Sequence, residues 1–417
     1  MGINNLPEFE ILYKDERAAL IDKDNKVCIG VSRKIADNLN SVDVQNFLFP
    51  IWKQQVMFQK KIEQKRKRIN TAYLMVTRKC NMNCEFCAIR ANEKLESDEM
   101  DFTDIMDNVI PFLKRNRPHK IIITGGEPLL KHNIDKIVKD IRINVDSLIT
   151  LQSNGLLLDE SFVSKLSDNV DEIDFSTKHM VDSEKGIDML RNNIEMCQKY
   201  GLKVLLTFIY ERTNRSDLYK VIDIAAKYNT QLIVNMVAPV GRALEHSEIL
   251  SELDRISMNL DVAKYIEKKG YEDKPLFSMF QQRIQVRTSC GAYGKVLAIF
   301  PEGNVYMCQC LESSEYCLGN ILEDSAEVIE QNLAQKLNDH SIKSTFCVEE
   351  KAQCKECEYA FLCGGMCPVS ERTEDNNCYF LKKMLDYQLF ERNTRDTSKE
   401  QLTKYISFLQ RIKEEYY

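Results

Sequence analysis

From about residue 71 to residue 237 the chain alternates short apolar runs with longer amphipathic segments, and no other feature narrows its fold as much. TAYLMVT, HKIIITG, SLITLQS, DEIDFST, KVLLTFIY and QLIVNMV read as strands. Between them DFTDIMDNVIPFLKR, NIDKIVKDIR, DESFVSKLSD, EKGIDMLRNNIEMCQKY and RSDLYKVIDIAAKY read as helices. The strands are nearly continuous apolar runs, which is what a sheet covered on both faces requires, so the pattern predicts parallel strands with crossover helices outside. A series of this kind closes into a full or partial barrel. Its working loops follow the C-terminal ends of the strands.

The flanks read differently. Residues 1–69 form a small α+β module: FEILYKDE, AALIDKD and KVCIGVS as short strands, a short helix near RKIADNLN, and a charged helix over 51–69 ending in KKIEQKRKR, a solvated face. The barrel is expected over 70–245, a helical bridge over 246–285, a cysteine-rich domain over 286–380, and a helix over 381–417 packing back on the body. Hydrophobic residues at 44% and charged residues at 29% exclude a mainly disordered chain. The net charge of −6 argues against a nucleic-acid partner. No run of 18 apolar residues exists, so no membrane contact is expected, and MGINNLPEFEILYKDE has no apolar signal core, which points to a cytoplasmic protein.

In that compartment the 15 cysteines stay reduced, and metal binding explains them better than disulfides. Cys80, Cys84 and Cys87 stand at C-x3-C-x2-C spacing directly after the first barrel strand. Three thiolates hold three irons of a cubane and leave the fourth open to another ligand. The competing reading is a zinc knuckle with a remote fourth ligand. At the end of the second strand stands Thr124-Gly125-Gly126-Glu127-Pro128. There two glycines would let a ligand approach the backbone, and Glu127 would accept from an ammonium group.

With these two motifs on successive strand ends, the chain resembles the radical S-adenosylmethionine (SAM) enzymes, whose core is a partial (β/α)6 barrel. The resemblance implies that Cys80, Cys84 and Cys87 bind a 4Fe–4S cluster whose unique iron is chelated by SAM, and that Phe86 is the aromatic residue before the last cysteine. It further implies that Gly125, Gly126 and Glu127 bind the methionine amino group. Ser153 and Asn154 in LQSNG and Ser176 in DFSTKH would contact ribose and carboxylate. Ala238 opens the segment Ala238-Pro239-Val240-Gly241-Arg242-Ala243, which matches the family's hydrophobic–Pro–x–Gly–Arg–Ala motif. The chain departs at the fourth strand: Ser176-Thr177-Lys178-His179 stands where relatives read Ser-x-Asp-Gly. Lys178 or Lys185 is the candidate for the missing downstream arginine, and His179 reads as a loop histidine.

Cys290, Gly303-x4-Cys308, Cys354-x2-Cys357-x5-Cys363-x3-Cys367 and Cys378 follow in an order that resembles the SPASM domain, with LGNILEDSAEVI between the halves. The resemblance implies two auxiliary 4Fe–4S clusters, hence three clusters in all. Cys290, Cys308 and Cys367 would serve the first, with Cys310 or Cys347 as a fourth ligand or else a free iron open to water or a substrate thiolate, and Cys354, Cys357, Cys363 and Cys378 the second. Cys28 and Cys197 read as small buried hydrophobes.

The function so implied is that of a ribosomal-peptide maturase of the ranthipeptide, sactipeptide or cyclophane type. It would use a 5′-deoxyadenosyl radical to form a thioether or carbon–carbon crosslink in a precursor peptide. The N-terminal module resembles a leader-peptide-binding element, with a plain β-cap on the barrel as the alternative, and a flavodoxin or ferredoxin would supply electrons. Two other readings stand beside it: a sulfatase maturase making formylglycine, and a non-catalytic iron–sulfur electron-transfer protein. No side chain is assigned as a catalytic acid or base.

Overall fold

The computed structural model describes residues 5–65, 69–92, 98–246, 250–280, 284–369 and 378–416. Residues 66–68 of the basic run therefore lie outside the described residues. Strands β1 (Glu10–Lys14), β2 (Arg17–Asp22) and β3 (Val27–Ser32) form an antiparallel sheet in that order. The helix Val42–Lys65 covers one face, packing Leu48 and Val56 on Ala18, Leu20, Val27 and Ile29. This helix begins well before the expected residue 51 because it runs through Pro50. Proline removes a helical hydrogen bond and ordinarily ends a helix; here burial of the apolar stripe carries the helix past it.

Strands β4 (Thr71–Met75), β5 (Lys120–Thr124), β6 (Leu148–Ser153), β7 (Glu172–Ser176), β8 (Lys203–Tyr210) and β9 (Gln231–Met236) pair in chain order, all parallel. Ile121, Ile123, Ile149, Leu151, Ile173 and Phe175 are fully buried in the main core shared with the crossover helices. The alternate positions are more polar than the apolar reading suggested: Thr124, Gln152, Ser176 and Thr207 line a cavity at the strand ends. Period-two alternation places Thr150 and Asp174 on that same inner face.

The sheet does not stop at β4. β10 (Val296–Ile299) pairs parallel with β4, from Val296 on Thr71 to Ile299 on Leu74. β11 (Asn304–Tyr306) and β12 (Cys317–Asn320) then add antiparallel, giving nine strands in the order β12-β11-β10-β4-β5-β6-β7-β8-β9. With β12 and β9 as its two edges among the described residues, the barrel is partial, as expected. The segment expected as a separate cysteine-rich domain thus contributes three strands to the barrel's own sheet.

The helix Glu252–Lys269 packs against the terminal helix Ser398–Tyr416. The free face of the β1–β3 sheet docks on the C-terminal half, with Leu12, Ala19 and Ile21 against Val286, Phe361, Leu385 and Phe390. Among the described residues, no helix is long and apolar enough to cross a membrane.

Candidate active site

The loop after β4 carries Cys80, Cys84 and Cys87, and two backbone hydrogen bonds hold its base. Gly126 N donates to Thr77 O at 2.7 Å and Glu127 N to Lys79 O at 2.8 Å. A Cβ on Gly125 would lie 2.4 Å from Thr77 O, and one on Gly126 2.2 Å from Lys79 O. These glycines were expected to admit a ligand. What approaches them is the cysteine loop itself, although both also line the cavity. From the other side Gly241, at φ +57, packs on the Cys87 and Ala88 carbonyls. The Arg242 guanidinium donates from Nε to Cys84 O at 2.8 Å and from Nη2 to Ala91 O at 2.7 Å. Arg242 was quoted in a motif but given no role; its place against the loop depends on a contact across 158 residues, which no spacing rule reveals.

The three thiols open on a cavity of about 160 Å³ that Phe86, Gly125, Gly126, Ser153, Asn154 and Ser176 also line. Two expected site residues lie elsewhere. Glu127 is fully buried behind the wall, where Oε1 accepts from Ser153 Oγ at 2.8 Å and Leu129 N at 3.1 Å, and Oε2 from Asn154 N at 2.8 Å. Its carboxylate therefore ties the end of β6 to the turn after β5 instead of facing an ammonium. Burial raises its pKa, and these hydrogen bonds oppose the shift. Ala238 lines a neighbouring groove, not this cavity.

At the departure from the family pattern, Lys178 reaches the cavity, while Lys185 is exposed on the helix Glu184–Lys199. Lys178 pairs with Glu211 and sits 4.4 Å over the Phe86 ring. The His179 ring stacks on Phe86 with centroids 5.8 Å apart, and Nε2 is 3.2 Å from Cys84 Sγ. His179 is therefore a loop histidine with partners that also walls the site. Its pKa is lowered chiefly by burial.

Beneath the cavity a hydrogen-bonded row crosses the barrel. Thr124 Oγ1 donates to Gln152 Oε1, and Gln152 Nε2 to Asp174 Oδ2, both at 3.0 Å. Burial pushes the Asp174 carboxyl up to about 6, against Thr207 and Gln152, which pull it down. Sequence reasoning missed this row because each of its residues is unremarkable in its own strand.

Further along, the cysteines separate into two sets. Cys354, Cys357, Cys363 and Cys378 line one cavity of about 100 Å³. Cys290, Cys308 and Cys310 pack against the barrel core instead, and Cys367 shares a groove wall with Cys310. Cys308 and Cys310 are hydrogen-bonded to each other, which pulls the first down to about 7 and the second up. The Cys347 thiol lies among Tyr293, Lys343, Glu349 and Glu350, and its backbone pairs with Ser289, next to Cys290. Of the two candidates for a fourth thiol, Cys310 lies near Cys308 and Cys367, and Cys347 lies on the strand-like pairing beside Cys290. Cys197 is fully buried as expected, and Cys28 is half-buried.

Among the described residues no three His, Cys, Asp or Glu side chains converge on a point suited to a single metal ion. A cubane spreads its thiolates around four irons, so spaced soft donors on rigid loops fit a cluster. Most of these thiols are held up by burial, Cys84 and Cys363 to about 11, so cluster binding must release protons.

Comparisons with known proteins agree with this layout. Residues 74–225 match the family model described as Radical SAM superfamily, and residues 290–358 match SPASM, an iron-sulfur cluster-binding domain. GTP 3′,8-cyclase of Clostridium perfringens (strain SM101 / Type A) is 25% identical over 310 residues, covering 66% of this chain and 93% of that protein. The crystal structure of Streptococcus suis SuiB bound to precursor peptide SuiA superposes with a TM-score of 0.55 at 15% identity, covering 88% of this chain and 96% of the other. Native anSMEcpe with bound AdoMet and Kp18Cys peptide superposes with a TM-score of 0.57 at 16% identity, covering 81% and 99%. At such identities the structural likeness is one of fold.

Proposed function

This chain is a radical SAM superfamily enzyme with a SPASM domain, and from that premise we propose that it is a maturase that crosslinks a ribosomally made precursor peptide. One observation carries the reading. A groove of about 810 Å³ has Phe86 and Ile209 on its wall, both of which also line the candidate SAM cavity, and Cys310 and Cys367 of the first auxiliary set as well. Its length follows β9 and the residues after it, from Leu232 to Val240. An extended peptide laid there would reach from the radical site to an auxiliary cluster. Two structural neighbours hold a bound peptide, which supports a peptide substrate, and SuiB aligns over 88% of this chain where the cyclase relative covers 66%.

In this reading Cys80, Cys84 and Cys87 hold one 4Fe–4S cluster. Cys290, Cys308, Cys310 and Cys367 hold a second, and Cys354, Cys357, Cys363 and Cys378 a third. When bound, the first cluster and SAM supply a 5′-deoxyadenosyl radical after one electron arrives from a flavodoxin or ferredoxin. The protein's own part is placement. Gly125, Gly126 and Arg242 fix the cysteine loop, and the Phe86–His179 stack walls the cavity. Met258, Met279, Phe280 and Met384 make the groove apolar, so reactive groups are shielded from water. The N-terminal module is the candidate leader-binding element.

Anaerobic protein with dithionite and SAM is expected to release 5′-deoxyadenosine. The Cys80/Cys84/Cys87→Ala triple variant should lose this activity and keep the absorbance of the auxiliary clusters. SAM cleavage surviving in that variant would sink the site assignment. Zinc without labile sulfide would overturn the cluster chemistry altogether. A short peptide encoded in a neighbouring reading frame should lose the mass of two hydrogens per crosslink when incubated with the enzyme. Turnover of GTP instead of the peptide would overturn the maturase reading.

A further inference from the structure

A buried cation lies where the two auxiliary cysteine sets meet. Lys351 is 3% exposed, and its Nζ donates to the carbonyl oxygens of Thr345 and Met366, each at 3.2 Å. The glycine turn before Cys367 wraps it, with Nζ 3.9 Å from the position a Cβ on Gly365 would take. Burial lowers its pKa, and negative charge on Cys354, Cys290, Cys363 and Cys367 opposes that shift. Cys290 and Cys367 come from the first set, and Cys354 and Cys363 from the second. The turn that holds Nζ, Gly364 to Met366, joins Cys363 of the second set to Cys367 of the first, and Lys351 O accepts from Cys354 N at 2.9 Å, so one ammonium lies at the junction of both.

On the reading that each set binds a 4Fe–4S cluster, we propose that Lys351 is the shared counter-charge of the two auxiliary clusters, a positioning residue that sets their reduction potentials. Adding an electron makes a cluster with its thiolates more negative. A fixed positive charge nearby stabilises that reduced form, more strongly in a buried site than in water. Cluster potentials respond to net charge and to surrounding groups. With Lys351 in place both auxiliary clusters are better acceptors for the electron that a crosslinking oxidation must discard. Because the charge lies between the sets, it moves both potentials in the same direction.

The test uses anaerobically reconstituted protein in the Cys80/Cys84/Cys87→Ala background, where only auxiliary clusters remain. Lys351→Gln keeps an amide to donate to the Thr345 and Met366 carbonyls and removes the charge. Lys351→Arg keeps the charge. Iron and sulfide per chain are measured first, then both midpoints by potentiometric titration followed by electron paramagnetic resonance. Lys351→Gln is expected to retain its iron and to lower both midpoints by at least a tenfold change in the one-electron equilibrium, about 59 mV. Lys351→Arg should restore them. Full iron with unchanged midpoints, or a shift confined to one cluster, overturns the proposal. If the Gln variant loses auxiliary iron, Lys351→Arg decides: parental iron and midpoints support the role of charge, and loss there too refutes it. A parent with no auxiliary iron at all would show instead that the cluster reading had failed, and the proposal with it.

Discussion

Gly126 shows how tightly a single position can be bound. Its missing side chain leaves room for the Lys79 carbonyl, and an added methyl would also meet Arg78 O at 2.9 Å. Both neighbours are backbone, so neither can swing aside. Overpacking of this kind costs about 1–3 kcal/mol, and the strain falls on the loop that carries three candidate ligands. Gly126→Ala is therefore expected to lose the iron of the SAM cluster while keeping that of the auxiliary clusters. Iron per chain, with and without the auxiliary cysteines, checks this; full retention of the SAM cluster would show that the close approach is not needed. Glu127, one residue on, teaches the opposite lesson. Its motif was legible, but its carboxylate serves Ser153 and Asn154, because a fully buried carboxylate must be satisfied by whatever donors the fold supplies.

The strands β5 to β7 are joined inside the barrel by the row Thr124–Gln152–Asp174. Asp174 has a folded pKa of about 6 against an ordinary 3.8. Its folded value is raised, so its contribution is most favourable at low pH and is lost as pH rises through about 6. The two-unit gap corresponds to about 3 kcal/mol. Asp174→Asn, which keeps an acceptor for Gln152, should thus be more stable than the parent at pH 8 by up to that amount. About half of the difference should remain at pH 5. Denaturant titrations of the cluster-containing protein at the two pH values measure it, and a variant less stable at pH 8 would contradict the burial cost assigned to this carboxyl. The strands themselves were readable from their apolar runs. The row was not, since hydrogen bonds between parallel strands join residues 22 to 28 positions apart.

Two long-range unions make the whole molecule. β10 pairs with β4 and so fastens the cysteine-rich half to the barrel's first strand, beside the loop that holds Cys80. The N-terminal module is fastened by Leu12, Ala19 and Ile21, by Arg17 Nη1 donating to Phe390 O at 2.6 Å, and by Lys14 paired with Asp386 at 3.3 Å. Ile21 is 1% exposed, and a charge there would be buried at a cost of several kcal/mol. Ile21→Asp is expected to release the module, seen as faster limited proteolysis between residues 33 and 41 with iron content unchanged. Unaltered protection would mean that the polar contacts alone hold the module in place.

Hydrophobic period, cysteine spacing and glycine placement are properties of near neighbours along the chain. From them the parallel α/β core, the three-thiol loop and the cysteine-rich half could all be read before any coordinates. Pairings that close loops of tens to hundreds of residues carry no such local signature, because their partners are chosen by how the packed elements come to rest. On that account only the folded molecule set Cys310 near Cys308, turned Glu127 away from the cavity, set Arg242 against the cysteine loop, and brought Lys351 to the turn between Cys363 and Cys367.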